Sequence, residues 1–179
     1  QVRIVPAYSC FVIEVVYKKE ITFDDYTDNP FYLGIDLGLK NLAALTSNQP
    51  GLKPLLINGC PLKSVNQFFN KKKAEFMSFI GGRGTSKRIE KLTLKRNCKV
   101  GDYLHKTSRF IIDYAIMHNI GCIVIGQNKD WKREISIGKR NNQAFVAISF
   151  DKLISQIRYK AEEVGITVVT TEESYTSKC

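Results

Sequence analysis

The rhythm of apolar and polar positions changes several times along this chain, and each change marks an element. From Val2 to Tyr17 the pattern is strand-like. Phe11, Ile13 and Val15 alternate with Val12, Glu14 and Val16, and Pro6 is expected to break the run into two pieces. ITFDDYTDNP is acidic, carries turn residues and ends in Pro30, which reads as a loop. FYLGIDLG, NLAALTSN and PLLING follow as short apolar runs at hairpin-like spacing, with QPG as a turn. An antiparallel meander is the simplest way to join three such strands.

The period then lengthens. Pro61 suits the first turn of a helix reaching about Ile80, with Val65, Phe68, Phe69, Phe76 and Phe79 as its apolar stripe, and GGRGTS ends it. Ser86 is placed to cap a long helix running to Asn119, whose second half keeps Val100, Tyr103, Leu104, Thr107, Ile111, Tyr114 and Ala115 on one face. CIVIG reads as a buried strand and QNKDWKREISIGKRNNQ as a polar, basic loop. A helix carrying Val146, Phe150, Leu153, Ile154, Ile157, Ala161 and Val164 comes next and ends at Gly165, and ITVVTTEES is the last strand. Three strands, helices, strand, helix, strand is the order of an α/β, RNase H-like core: a mixed five-stranded sheet with flanking helices. A short β segment over residues 1–25 precedes it, read as the end of an upstream β domain, and the core is expected to span residues 31–179.

Asp36 is the residue with the clearest chemistry. Within FYLGIDLG, Leu33, Ile35 and Leu37 share one face of the strand, while Tyr32, Gly34 and Asp36 share the other. A carboxylate in an apolar strand is costly unless it meets a cation or hydrogen-bond donors. Gly34 and Gly38 leave room beside it for a ligand or a neighbouring backbone. Two readings stand side by side: a ligand for Mg²⁺, which takes one or two protein carboxylates and completes its shell with water and phosphate, or a structural aspartate that caps a turn or pairs with a lysine. IDLG also occurs at the first strand of actin-like and sugar-kinase-like ATPases, but Leu39, Lys40 and Asn41 lack the hydroxyls expected after it there.

Composition adds a partner. Lys and Arg number 27 against 17 acids, a net charge of +10, which attracts a polyanion and points to nucleic acid before membrane. No apolar run is long enough to span a bilayer, and QVRIVPAYSC is no signal peptide. The five cysteines, Cys10, Cys60, Cys98, Cys122 and Cys179, form no CxxC pair and define neither a zinc site nor a disulfide framework. A reducing prokaryotic cytoplasm, in association with the nucleoid, is the expected location. A chain opening on Gln1 reads as a piece of a longer protein.

On the long helix, Arg88, Lys91, Lys95, Lys99 and Lys106 recur at steps of three, four or seven. They make a basic stripe about 27 Å long, able to follow a phosphate backbone. A merely solvated face is the plainer alternative. Lys71, Lys72 and Lys73 form a second cluster. The loop after CIVIG sets Trp131 among Lys132, Lys139 and Arg140, a combination suited to single strands, although the indole also suits packing over a sheet edge. His105 and His118 sit at a spacing that no metal site needs.

Further segments carry a specific resemblance. GIDLGLKNLAAL, SKRIEKLTLKRN, GDYLHKTSRFIIDYA, IVIGQNKDWKREISIGKRNNQAFV and YKAEEVGITVVTTEESYTSKC, in that order, resemble TnpB proteins of insertion-sequence transposons, relatives of the type V CRISPR nucleases. The resemblance implies a RuvC-like nuclease fold, with DNA cleavage dependent on Mg²⁺ (or Mn²⁺) and directed by a guide RNA; DNA and guide RNA are the implied partners. Asp36 matches the family's first catalytic aspartate. Many members end the strand matching CIVIG with an acid, where this chain has Gly126 and then Gln127. Glu172 and Glu173, after the last strand, are the expected replacements as catalytic and metal-binding carboxylates, with Glu134 as runner-up. The family's zinc ribbon would begin near Cys179, with its Zn²⁺ and the third catalytic aspartate beyond it. An incomplete, weakly active core or an inactive nucleic-acid-binding remnant is therefore expected.

Overall fold

A computed structural model describes residues 1–7, 10–18, 29–127 and 149–172. β1 (Val2–Ala7) and β2 (Cys10–Val15) form an antiparallel ribbon. The main sheet holds β3 (Tyr32–Leu37), β4 (Asn41–Ser47), β5 (Leu55–Asn58), β6 (Cys122–Gly126) and β7 (Thr167–Thr171), in the order β5-β4-β3-β6-β7. β3, β4 and β5 are an antiparallel meander, while β6 and β7 run parallel to β3. Helices α1 (Cys60–Phe79) and α2 (Lys87–Met117) separate β5 from β6, and α3 (Phe150–Glu162) precedes β7. This is the mixed five-stranded RNase H-like arrangement that the element order implies. No helix among the described residues is long and apolar enough to cross a membrane.

Two expectations need correction. Pro6 does not break the first run; it lies inside β1, opposite Phe11. In a two-stranded ribbon alternate N–H groups face away from the partner, so a residue without one is tolerated. The phenylalanine stripe of α1 is not its buried face either. Leu62 and Asn66 are the buried residues of α1, whereas Phe68 and Phe79 are exposed. Only the first part of this helix packs against the core, and Phe68 and Phe79 are left open.

The core lies on one side of the sheet. Leu33, Ile35 and Leu37 of β3, Ala43 and Leu45 of β4, and Ile123 and Ile125 of β6 point to it, in register across the strands. Leu104, Ile111, Ile112 and Ala115 of α2 and Leu153, Ile157 and Ala161 of α3 close the other side. A bulge in β4 buries Leu42 and Ala43 in succession, against strict alternation. The opposite sheet face carries exposed Tyr32, Leu56 and Val169.

The ends of α2 follow the residue chemistry. Ser86 Oγ accepts from Ile89 N–H at 3.3 Å, and Asn119, at φ 51°, turns the chain out of the helix. Gly81 and Gly82, both at positive φ, make the turn after α1, and Gly82 N–H donates to Met77 C=O at 2.9 Å. Where α2 meets α3, Lys160 is only 5% exposed. Its Nζ donates to Ser108 Oγ at 2.6 Å and to the His105 carbonyl at 2.9 Å. Burial lowers the pKa of Lys160, and the nearby Arg109 charge acts in the same direction against Glu163 and Asp113.

A lysine whose folded pKa is depressed leaves the unfolded chain holding more protons between the two pKa values, so its contribution to stability grows as pH rises through that window. Lys160→Met removes this alkaline gain. Ser108 Oγ–H still donates to His105 C=O at 3.0 Å, so the variant should stay within about 1 kcal/mol of the parent at neutral pH. Urea unfolding from neutral to alkaline pH measures both effects.

Candidate functional site

β3 is the central strand, with β4 antiparallel on one edge and β6 parallel on the other. Asp36 sits one residue from its C-terminal end, opposite Ala44 of β4. Its side chain lies on the open face and is exposed, so the expected cost of burying a carboxylate in the strand does not arise. Its surroundings are small. Gly34 lies two residues before it on the same face, where a Cβ would touch Thr46 Cγ2 at 3.4 Å. Gly38 follows two residues later, where a Cβ would meet Asn41 O at 3.0 Å.

The parallel pairing carries this edge across two more strands. Ile35 pairs with Ile125, and Ile125 with Thr170, so the next row aligns Asp36 with Gly126 and Thr171 on one face. Gln127 N–H donates to Thr171 C=O at 2.8 Å, the last ladder bond before Glu172. Glu172 is exposed and follows β7 two strands from Asp36, a separation of about 10 Å at ordinary strand spacing. Glu173 and Glu134 lie outside the described residues. An acid that the sequence reading passed over also reaches this region: Asp151, in the first turn of α3, accepts from Gln127 Nε2 at 3.4 Å. An acidic residue opening a helix is a visible signal, but only the fold brings it to the residue after β6. Among the described residues, no three His, Cys, Asp or Glu side chains converge as a metal-binding group.

The basic stripe is real in space. Arg88, Lys91, Lys95, Lys99 and Lys106 are all exposed along α2. Lys106 pairs with Asp102 at 2.9 Å, an exposed contact that leaves its charge accessible. No acid pairs with Lys95 or Lys99 among the described residues. In the second cluster Lys72 is taken by Glu75 at 2.8 Å, and Lys73 lies over the Phe69 ring. Trp131, Lys132, Lys139 and Arg140 fall outside the described residues. His118 packs on Tyr114 with ring centroids 4.5 Å apart. Desolvation, then the charges of Lys160 and Lys152, lower the pKa of His105, with Asp102 opposing them. Burial raises the Cys122 thiol pKa, as befits an inert cysteine.

Sheet order and crossovers define the class as an RNase H-like, RuvC-like fold. Two solved structures share it. A Cas12f1–sgRNA–target DNA complex gives a TM-score of 0.64 at 16% identity, covering 99% of this chain and 43% of that one. A CRISPR–Cas12f ternary complex gives 0.63 at 18% identity, covering 94% and 32%.

The chain belongs to the OrfB_IS605 family, described as a probable transposase, whose profile matches residues 25–132. A TnpB-like protein of Methanocaldococcus jannaschii is 26% identical over 175 residues, 92% of this chain and 63% of that protein. The CRISPR-associated endodeoxyribonuclease Cas12f1 of Sulfoacidibacillus thermotolerans is 35% identical over 102 residues, 55% of this chain and 22% of that enzyme. The TnpB resemblance is borne out, and the chain spans less than two thirds of either relative's length.

The hairpin bearing Asp36 is held from below by Gly59, whose N–H donates to Lys40 C=O at 2.8 Å. A Cβ on Gly59 would lie 2.4 Å from Leu39 O, so Gly59→Ala must displace the β3–β4 turn. It should cost about 1–3 kcal/mol. Gly101→Ala, in α2, meets only Lys152 Nζ at 3.7 Å and should instead stabilise by up to about 1 kcal/mol. Thermal unfolding of the two variants separates the cases.

Proposed function

We propose that this chain is the RuvC-like core of a transposon-encoded, RNA-guided DNA endonuclease, with Asp36 as its first metal-binding carboxylate. The observation that carries the reading is the position of Asp36: accessible, ringed by glycines, and at the C-terminal edge of the central strand. Family membership supports a nuclease, and the similar Cas12f1 structure, a complex with sgRNA and target DNA, supports DNA and a guide RNA as partners. The β1–β2 ribbon is read as belonging to a separate β unit.

The donor chemistry fits a hard divalent cation. Asp36 offers exposed carboxylate oxygens, and Mg²⁺ needs only one or two such groups from protein. Glu172 or Glu173 would supply the second, in place of the acid absent at Gly126; Glu134 is the third choice. When bound, paired divalent ions activate water and stabilise the leaving oxygen of a phosphodiester. The chain's own part is to orient the cleaved strand: Asp36 fixes the reacting end, the small residues around it leave space for a sugar-phosphate backbone, and the lysines of α2 neutralise phosphates.

A second reading, a binding remnant without catalysis, is favoured by Gly126 and Gln127 standing where many relatives carry an acid. Cutting assays in the full-length protein decide. Asp36→Ala should reduce Mg²⁺-dependent DNA cleavage about a hundredfold or more; intact cleavage would remove the nuclease assignment from this site. Glu172→Gln and Glu173→Gln, made separately, identify the second carboxylate, and silence from both moves it to Glu134.

Binding has its own test. Replacing Lys95 and Lys99 together by Gln should reduce the slope of log affinity against log salt by about 1.8 for duplex DNA. An unchanged slope would mean that this face is only solvated.

A further inference from the structure

Before α2 reaches the sheet, its first half packs against α1 and leaves a groove of about 310 Å³ between them. Val65 and Phe68 of α1 and Leu92 of α2 form its apolar wall, and Lys95, Arg96 and Lys99 line it with positive charge. The cations differ in commitment. Arg96 donates to Asn66 Oδ1 at 2.8 Å and stacks over the Phe69 ring at 5.8 Å, so it belongs to the helix–helix contact. Lys95 and Lys99, one helical turn or about 6 Å apart, have no acidic partner among the described residues.

The two rings also differ. Phe69 is half-buried, with Arg96 on its ring and Lys73 at 5.9 Å. Phe68 is 59% exposed, and no ring or cation stacks on it among the described residues. A single exposed phenylalanine is ordinary. An open ring sharing a groove with two lysines, with no acidic partner or lining acid among the described residues, matches one ligand chemistry: a flat apolar ring joined to a phosphate. A groove of this size has room for one unstacked base, which a duplex does not offer.

We propose that the α1–α2 groove binds one unpaired nucleotide of a nucleic-acid single strand, its base stacked on Phe68 and its flanking phosphates held by Lys95 and Lys99. This deepens the nucleic-acid reading of the basic stripe and rests on it. Phosphate contacts alone would hold a duplex as well as a strand, whereas stacking on an open ring requires an unpaired base. The groove therefore adds a preference for single strands that a stripe of lysines cannot supply.

The test uses the full-length protein and three probes of one sequence: an RNA strand, a DNA strand and the DNA duplex. Each carries a fluorescent purine analogue whose emission falls on stacking. Phe68→Ala should weaken binding of a single strand about tenfold and restore its emission, while duplex affinity stays unchanged. Phe68→Trp should preserve both the affinity and the quenching. Whether the RNA or the DNA strand suffers the loss identifies the source of the nucleotide. Equal losses on strand and duplex, or no change on any probe, overturn the groove. If Phe68→Ala is silent while the Lys95/Lys99 variant still flattens the salt slope, the groove fails and the basic stripe stands. If both are silent, the nucleic-acid reading of this face fails with it.

Discussion

The register of β3 governs everything built on the main sheet. The strand pairs on both edges, and its inward residues, Leu33, Ile35 and Leu37, are almost wholly buried. A slip of one residue would exchange its two faces. Three large aliphatic side chains would then enter water, at about 2 kcal/mol each, and a carboxylate would enter hydrocarbon at a cost of several more. The register that closes the core is therefore the one that presents Asp36. Because β6 and β7 run parallel to β3, the residues that follow them reach the same edge. Glu172 reaches the same sheet edge as Asp36, two strands away, for that reason, and Asp151 arrives through its contact with Gln127.

α2 divides its work along its length. Its 31 residues span about 46 Å, more than the sheet can cover. From Val100 onward its buried positions recur regularly, against the sheet and α3. The half before that overhangs with α1 as its main companion, and there the cations and open aromatics collect. An overhanging helix pair has few apolar neighbours to satisfy, so it is free to carry charge. The same freedom exposes Phe68 and Phe79, which a fully packed helix would have buried.

The HKTSR run of α2 serves packing as much as surface chemistry. Thr107 and Ser108 are buried, and the His105 carbonyl and Ser108 hydroxyl receive Lys160 from α3. A lysine in that position has no room to swing to a nucleic acid. It ties two crossover helices together by donating to oxygen atoms that would otherwise lie buried beside apolar side chains.

The alternation and the helical period by themselves determined the elements, their order, the Ser86 cap, the close of α3 at Gly165 and the face of β3 that carries Asp36. These are consequences of local backbone geometry, which repeats every two or 3.6 residues and so leaves a trace in composition. The resemblance to TnpB, carried by longer motifs, gave the family. Only the tertiary structure decided which faces were covered. The same periodicity that marks an apolar stripe on α1 cannot state that no element packs over Phe68, nor that β1 passes through Pro6 on an unpaired edge. It cannot show that Asp36 meets solvent rather than a buried cation, or that Lys160 is enclosed. Burial and charge pairing depend on neighbours distant in the chain, and those are chosen by the assembly of the sheet rather than by any segment alone.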